Sequence, residues 1–529
     1  MKRCPECRRD YYDDSLAYCL DDGSVLLDGP PSGDESATRL IPDFRSNSGT
    51  RISEVRDDPT STTSMPSSKV NSVAVLPFAH LSRDADDEYF CDGLAEELIN
   101  AIGKLEDVKV VARTSAFSFK GKNLDISEIA RILSVSHIVE GSVRKSGDRM
   151  RISVQLINAA DRFQVWSEKY DTDLGDLFDI QDEITRSVTA ALRPKLRSRE
   201  AAMADLIAQL QQHAGSIEAY QLYLRGRFHF NKLTPEGFRL ALDSFQQALA
   251  VDPGFAAAYA GIADAHVFSA ELGPVPPLEA MPRAKTAALE ALALDPSNAE
   301  AHTTLAFIHQ EFDFDFESAE REYKKAIELN PNAPMAHQYY GALLSQLGRQ
   351  EEAEREFHRA NVLDPLSPSS NWVRPLGLFF ARRYDECIQV TENLLALDAD
   401  FPAAHLIASF AYHMKGDFGR CVEAYTRFLE LCDLVELAAA AREAFESGEW
   451  PSFLGKMTSR EVKPFITSYI AAVFYVALSE NDQALAMLEE SFHRREGHLV
   501  MLKVDPRLER LHENTRFKEL LGKVGFPDR

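Results

Sequence analysis

The chain lacks any long apolar run. No eighteen consecutive residues are apolar, so the sequence offers no membrane span. The longest apolar stretch near the C-terminus, Tyr469 to Leu478, has the length of a core helix. The N-terminus, MKRCPECRRDYY, has no apolar core and does not read as a secretory signal. Basic residues are in short supply, 58 Lys and Arg against 82 Asp and Glu, for a formal charge of −24. That balance argues against a general nucleic-acid binder and against adsorption to anionic lipid. Cysteine is sparse as well. There are seven in 529 residues, three of them before residue 20, which is no disulfide framework and points to a reducing cytoplasm. Catalytic signatures are also missing. There is no HExxH, no nucleophile–base constellation and no glycine-rich phosphate loop, and Lys120-Gly121-Lys122 does not supply one. These absences favour a non-enzymatic protein.

What is present is a repeat. Asp252-Pro253, Asp295-Pro296, Asn330-Pro331 and Asp364-Pro365 each close a helical stretch, and Asp398-Ala399 stands where the next would fall. The prolines are 43, 35 and 34 residues apart, a period that means a solenoid of stacked helix pairs. Internal positions recur with it. His337, Gly341, Ala353, Phe357 and Ala360 match His302, Ala306, Ala319, Tyr323 and Ala326, and His405, Ser409, Cys421 and Tyr425 continue the series. Small residues at the Gly341 and Ala353 positions let paired helices touch, and Phe357 fills the gap to the next pair. The 43-residue member should carry its insert as a loop around residues 271–277.

Upstream, residues 70–197 mix strands and helices. Ser72 to Phe78 and Val108 to Ala112 suit buried strands, and Leu94, Leu98, Ile99, Ile102 and Leu105 share one helix face. Met150, Ile152, Val154 and Leu156 alternate with Arg151, Ser153 and Gln155 after a Ser146-Gly147-Asp148 turn. Leu177, Ile180, Ile184, Val188 and Leu192 fit one helix face, stopped by Pro194. The order is βαβαβββα, a two-layer α/β domain. Asp92, Glu96 and Glu97 read as an acidic helix start. Cys91 reads as a buried thiol. Arg144, Lys145, Arg149 and Arg151 could form a small basic patch at the hairpin.

Residues 29–69 are rich in Pro, Ser, Thr, Gly and Asp and read as a disordered linker. Residues 1–28 hold Cys4, Cys7 and Cys19, followed by Asp22, spaced C-x2-C-x11-C-x2-D. Two ligand pairs joined by a short hairpin suit a tetrahedral structural Zn2+, with Asp22, or less favourably Asp21, as the fourth donor. Lys2, Arg3, Arg8 and Arg9 would offset the excess negative charge. So small a unit would need the metal to fold. The alternative is three unrelated surface cysteines. The segment looks like a zinc ribbon.

Two family resemblances add to this. The helix-pair pattern resembles tetratricopeptide repeats, strongly over 218–432 and more weakly to 529. The segments SVAVLPF, EYFCDGLAEELINAI, VVARTSAFSFKGK, HIVEGSVRKSGDRMRISVQLINA, FQVWSEKYD and LFDIQDEI, in this order, resemble the bacterial TolB-N-terminal-like (FlgO-like) α/β domain. In relatives that module follows a cyclase, winged-helix or kinase domain, and nothing in residues 1–70 matches one. The repeat resemblance implies that the first helix of each pair lines a concave face carrying Thr303, Gln310, Gln338, Ser345, Gln346 and His413. These are partner-binding candidates or ordinary solvated positions. The whole reading is a cytoplasmic adaptor that binds a protein or peptide through its repeats, with self-association open. The alternatives are a nucleic-acid-linked regulator acting through the zinc ribbon and an α/β domain that binds a nucleotide or other small ligand.

Overall fold

The computed structural model describes residues 2–3, 10–11, 27–28, 71–81, 88–105, 107–122, 124–146, 149–173, 177–192, 217–272 and 275–527. The chain divides into two compact units, 1–67 and 68–529. In the first, strands β1 (Lys2–Arg3), β2 (Asp10–Tyr11) and β3 (Leu27–Asp28) form an antiparallel sheet in the order β2-β1-β3. The zinc candidates Cys4, Cys7, Cys19 and Asp22, and the 29–69 segment, lie outside the described residues.

The second unit opens with β4 (Asn71–Val75), β5 (Ala79–His80), α1 (Glu88–Gly103), β6 (Val108–Val110), α2 (Arg113–Phe117) and α3 (Ile126–Leu133). Strands β7 (His137–Ser146), β8 (Arg149–Asn158) and β9 (Gln164–Asp173) and helix α4 (Leu177–Leu192) complete the domain. The sheet order is β6-β4-β7-β8-β9, with β5 on β7. Strand β4 is parallel to both neighbours, and β7-β8-β9 is an antiparallel meander. The element order matches the sequence reading, with β5 and the short α2 added. The two-layer expectation is corrected. Alternate residues of a strand face opposite sides, and both sides of β4 are covered. Val73 and Val75 pack with α1 and α4, while Ala74 and Leu76 pack with Phe119 and α3. Beyond β7 the second face is open, so Arg151 and Lys169 there are exposed.

From Ile217 the described chain is helical. The pairs are α5 (Ile217–Phe230) with α6 (Pro235–Val251), α7 (Ala256–Glu271) with α8 (Pro277–Leu294), and α9 (Ala299–Ile308) with α10 (Phe316–Leu329). They continue as α11 (Pro334–Gln346) with α12 (Gln350–Leu363), α13 (Val373–Phe380) with α14 (Tyr384–Leu397), and α15 (Pro402–Met414) with α16 (Phe418–Leu431). Helix α17 (Val435–Met457) leads to a last pair, α18 (Ser468–Ala477) with α19 (Asn481–Arg494), and to α20 (Thr515–Val524).

The repeat signature has a local cause. Asp252, Asp295, Asn330 and Asp398 each accept a hydrogen bond from the backbone N–H two residues on, at 2.9–3.1 Å, which turns the chain into the next pair. His302, His337 and His405 each reach back with Nε2 to the carbonyl six residues earlier, at 2.9–3.1 Å, and tie the new helix to that turn. A Cβ on Gly341 would lie 2.7 Å from the Phe357 ring, as the repeat pattern requires. The irregular spacings are absorbed within helices. The 43-residue member has helices of 16 and 18 residues where α11 and α12 have 13 and 14, so its insert is only partly a loop. The 35-residue spacing coincides with a π-helical turn, His309–Asp313, which takes up one extra residue.

Candidate interaction surface on the inner face of the repeats

The first helices of the pairs do not face open solvent along their length. At the N-terminal end they receive α1 of the α/β domain. Leu224 of α5 packs where a Cβ on Gly93 would stand, 2.6 Å from it. Arg227 of α5 donates Nε and Nη2 to Glu96 Oε1 at 3.0 and 2.5 Å, and Asn231 donates to Glu96 Oε2 at 3.1 Å. Arg113 pairs with the same carboxylate at 3.0 Å. Burial alone would raise the Glu96 carboxyl, but these two guanidinium groups hold it below its ordinary value. Arg227 also reaches Glu300 of α9 at 3.3 Å and Asp264 of α7 at 4.0 Å. Asp264 accepts from the Thr304 hydroxyl.

Among the described residues, two carboxyls in this cluster have no guanidinium at hydrogen-bond distance. Glu97 is pushed up to about 7 by burial and then by Glu96 and Glu300. Asp264 is pushed up to about 7 by burial and then by Glu300. Further along the same face, Glu311 is raised by burial and by Glu271, and its partners are the Gln310 and Gln346 side-chain amides. The inner face between α7 and α11 is therefore acidic.

The α/β domain is also fastened to two inter-repeat turns. Asn332 accepts from Val110 N–H at 3.1 Å and donates to the carbonyls of Gly103 and Val108 at 2.8 and 3.0 Å. Asp364 does not make the turn contact of its counterparts. It accepts from the Ser115 N–H and hydroxyl at 2.9 and 2.6 Å and from the Ser370 hydroxyl at 2.5 Å. The α/β domain and the repeats share one compact unit through these contacts.

At the other end, the residues after α19 fold back across the first helices. Arg495 donates to Phe312 O at 3.1 Å and stacks on Phe314 and Phe492. Arg507 lies 3.7 Å over the Phe410 ring and pairs with Asp505 at 2.6 Å, both buried, and Asp505 also accepts from Tyr469. Leu499, Val500, Leu502, Leu508 and Leu511 are fully buried. Each contributes about 1.5–3 kcal/mol by its burial, so this segment belongs to the core.

The six positions expected on the inner face fall as follows. Gln310 and Gln346 are brought together at 2.8 Å, and Tyr323 donates to Gln310 at 2.8 Å. Ser345 is buried and bonds Gln350. Gln338 is buried with neither side-chain amide atom hydrogen-bonded. Thr303 is half-buried and donates to its own helix at Ala299 O. His413 lies against Trp450, and burial, then Arg507, pushes it down to about 4. It borders a cavity of about 20 Å³, room for a single water. Gln310, Gln338, Ser345 and Gln346 are buried rather than solvated, while Thr303 and His413 are half-buried.

Other expectations resolve plainly. Cys91 is buried. Lys120 pairs with Glu88 and Asp92 at 2.7 Å. The basic patch is partly neutralised, since Arg151 pairs with Asp171 across β8 and β9. Glu96 and Glu97 are not merely a helix start, because they carry the contact with the repeats. Sequence reasoning missed Asn332, Asp505 and Arg507. Their only signal was a polar or charged residue one or two positions from a proline, which also describes an ordinary turn. No group of His, Cys, Asp and Glu suited to a metal occurs among the described residues. No helix among them is long and apolar enough to cross a membrane.

Residues 68–187 match the family model of the HilA/YgeH-like transcriptional regulator, second domain, and residues 322–355 match a tetratricopeptide repeat. A Rhizobium meliloti protein named as an adenylate cyclase is 37% identical over 243 residues, 44% of this chain and 39% of its own length. The transcriptional regulator HilA of Salmonella typhimurium is 30% identical over 137 residues, 26% of this chain and 25% of its own length. The chain thus spans well under half the length of these curated relatives. Among solved structures, yeast Tom70 is similar with a TM-score of 0.36 at 16% identity, over 66% of this chain and 82% of that one.

Proposed function

We propose that the chain is a non-enzymatic cytoplasmic adaptor that holds a protein partner on its helical repeats. The observation that carries this reading is the stack of helix pairs from Ile217 to Arg494, of which residues 322–355 match the tetratricopeptide model. Stacked pairs of this kind give an extended surface suited to a polypeptide. The part of the inner face left between α1 and the C-terminal segment carries the exposed Glu271 and the half-buried Thr303 and Tyr339. In this reading the partner meets the repeats there. The N-terminal unit, as a zinc ribbon, would add a second contact.

The test is crosslinking of the full chain to partners captured from its native cell extract, followed by peptide mapping. A partner that crosslinks to residues 256–346, and that Glu271→Lys releases, supports the adaptor. Crosslinks confined to the N-terminal unit would defeat it.

A second reading has its own observation. The match over 68–187 is to a domain of transcriptional regulators, which favours a role linked to nucleic acid. DNA binding by the full chain, with an affinity that falls steeply with salt, would support it. Retention unchanged by salt, or none, would exclude it.

A further inference from the structure

Four carboxylates meet where α1 enters the inner face of the first three helix pairs: Glu96, Glu97, Asp264 and Glu300. Two guanidinium groups answer them, Arg227 and Arg113. With all four acids ionised, negative charge is in excess at a contact where Glu96, Asp264 and Arg227 are largely shielded from water. With two protons added, the charges balance. We propose that this contact is a pH-responsive clamp: α1 grips the inner face of the repeats when Glu97 and Asp264 carry protons and loosens its hold as both ionise.

Among the described residues these two acids face no other strong counter-charge. Acting on Glu97 are Glu96 on α1, Glu300 on α9, Arg227 on α5 and, with the weakest effect, Lys104 just past the end of α1. Tyr223 of α5 donates to Glu97 at 3.4 Å. Facing Asp264 are Arg227, Glu300, Thr304 and the Tyr339 phenol. The other elements packed on α1 spend their charges elsewhere. Helix α4 carries Glu183 and Arg186 exposed. Strand β5 carries His80, which acts on Glu88, and β6 carries Lys109, which donates to Ser134 O. Strand β4 has no charged residue. Around α7, Arg283 pairs with Glu279 and Lys285 with Asp313 on the α8 side, while Glu236 and Arg239 of α6 pair with each other in solvent. On α9, His302 pairs with Glu322.

The direction follows from linkage. Docked, both acids titrate near pH 7. Released into water they return toward ordinary carboxylate values, about 4. The docked state therefore binds more protons between about pH 4 and 7, so docking weakens as the pH rises through that window. Above about 7 these two acids add no further change. The Asn332 and Asp364 contacts hold the rest of the α/β domain, so the expected motion is a local release of α1. This inference does not depend on the adaptor reading.

The test is hydrogen exchange of the full chain at pH 5.5 and 7.5, corrected for intrinsic rates, with α16 as internal reference. Protection of α1 and α5 should fall by about tenfold or more relative to α16 at the higher pH. Glu97→Gln with Asp264→Asn mimics the protonated pair and should abolish most of that difference. Each single substitution should abolish part of it, which decides the matter if the double variant folds poorly. Unchanged relative exchange in the wild type would overturn the proposal, and so would variants that keep the wild-type pH dependence.

Discussion

Asn332 closes the end of strand β6 by accepting the Val110 N–H at 3.1 Å, although 222 residues separate the two. Its amide nitrogen faces the Gly103 and Val108 carbonyls, so one side chain satisfies several backbone groups of another domain. Asn332→Ala leaves those groups buried and unpaired. The expected loss is about 2–4 kcal/mol, read from urea unfolding. A loss under about 0.5 kcal/mol would mean that water replaces the contact.

Asp295 and Asp364 occupy the same repeat position but do different work. Asp295 only turns the chain, bonding Ser297, whereas Asp364 receives Ser115 from the α/β domain. Asp295→Ala should cost about 1 kcal/mol, and Asp364→Ala about 3 kcal/mol, because the latter strands buried donors. Equal losses would contradict the docking role of Asp364.

Arg507 and Asp505 form a buried pair beneath the Phe410 ring. Arg507→Met leaves a buried carboxylate without its cation, at a cost of about 3–5 kcal/mol. Adding Asp505→Asn removes the stranded charge and should recover part of that loss. Thermal unfolding of both variants checks the order, and a double variant worse than the single would refute it.

Gly341 is held small by Phe357, 2.7 Å from where its Cβ would stand. Gly341→Val should destabilise by about 1–3 kcal/mol through overpacking. Phe357→Leu in the same chain should restore some of it. No rescue would show that the two positions are not coupled.

The N-terminal cysteines carry a prediction of their own. Cys19→Ser should abolish bound zinc, read by metal analysis of pure protein, while the unfolding of residues 68–529 stays unchanged. Wild-type protein without zinc would end the zinc-ribbon reading.

Much of the fold was legible because local chemistry writes it. The period of the Asp-Pro turns marks each helix pair, and the small residue at Gly341 with Phe357 marks how the pairs touch. The alternation Met150, Ile152, Val154 and Leu156 sets which face of β8 is buried, and it is buried as read. The inner face was less legible. Gln310 and Gln346 were identifiable as inward-facing polar positions, but nothing local says that they bond each other. Glu96 and Glu97 look like any acidic start of a helix until Arg227, 131 residues from Glu96, is placed beside them.

The sequence by itself determined the kind of structure: a mixed α/β domain followed by stacked helix pairs, since periodicity, turn residues and side-chain size act between near neighbours. Only the tertiary structure decided which surfaces remain available. The α/β domain sits on the inner face and on two turns, the C-terminal segment fills the far end, and Glu97 and Asp264 have no cation at hydrogen-bond distance among the described residues. Those outcomes depend on desolvation and charge between groups far apart in the chain, and no local pattern encodes that distance.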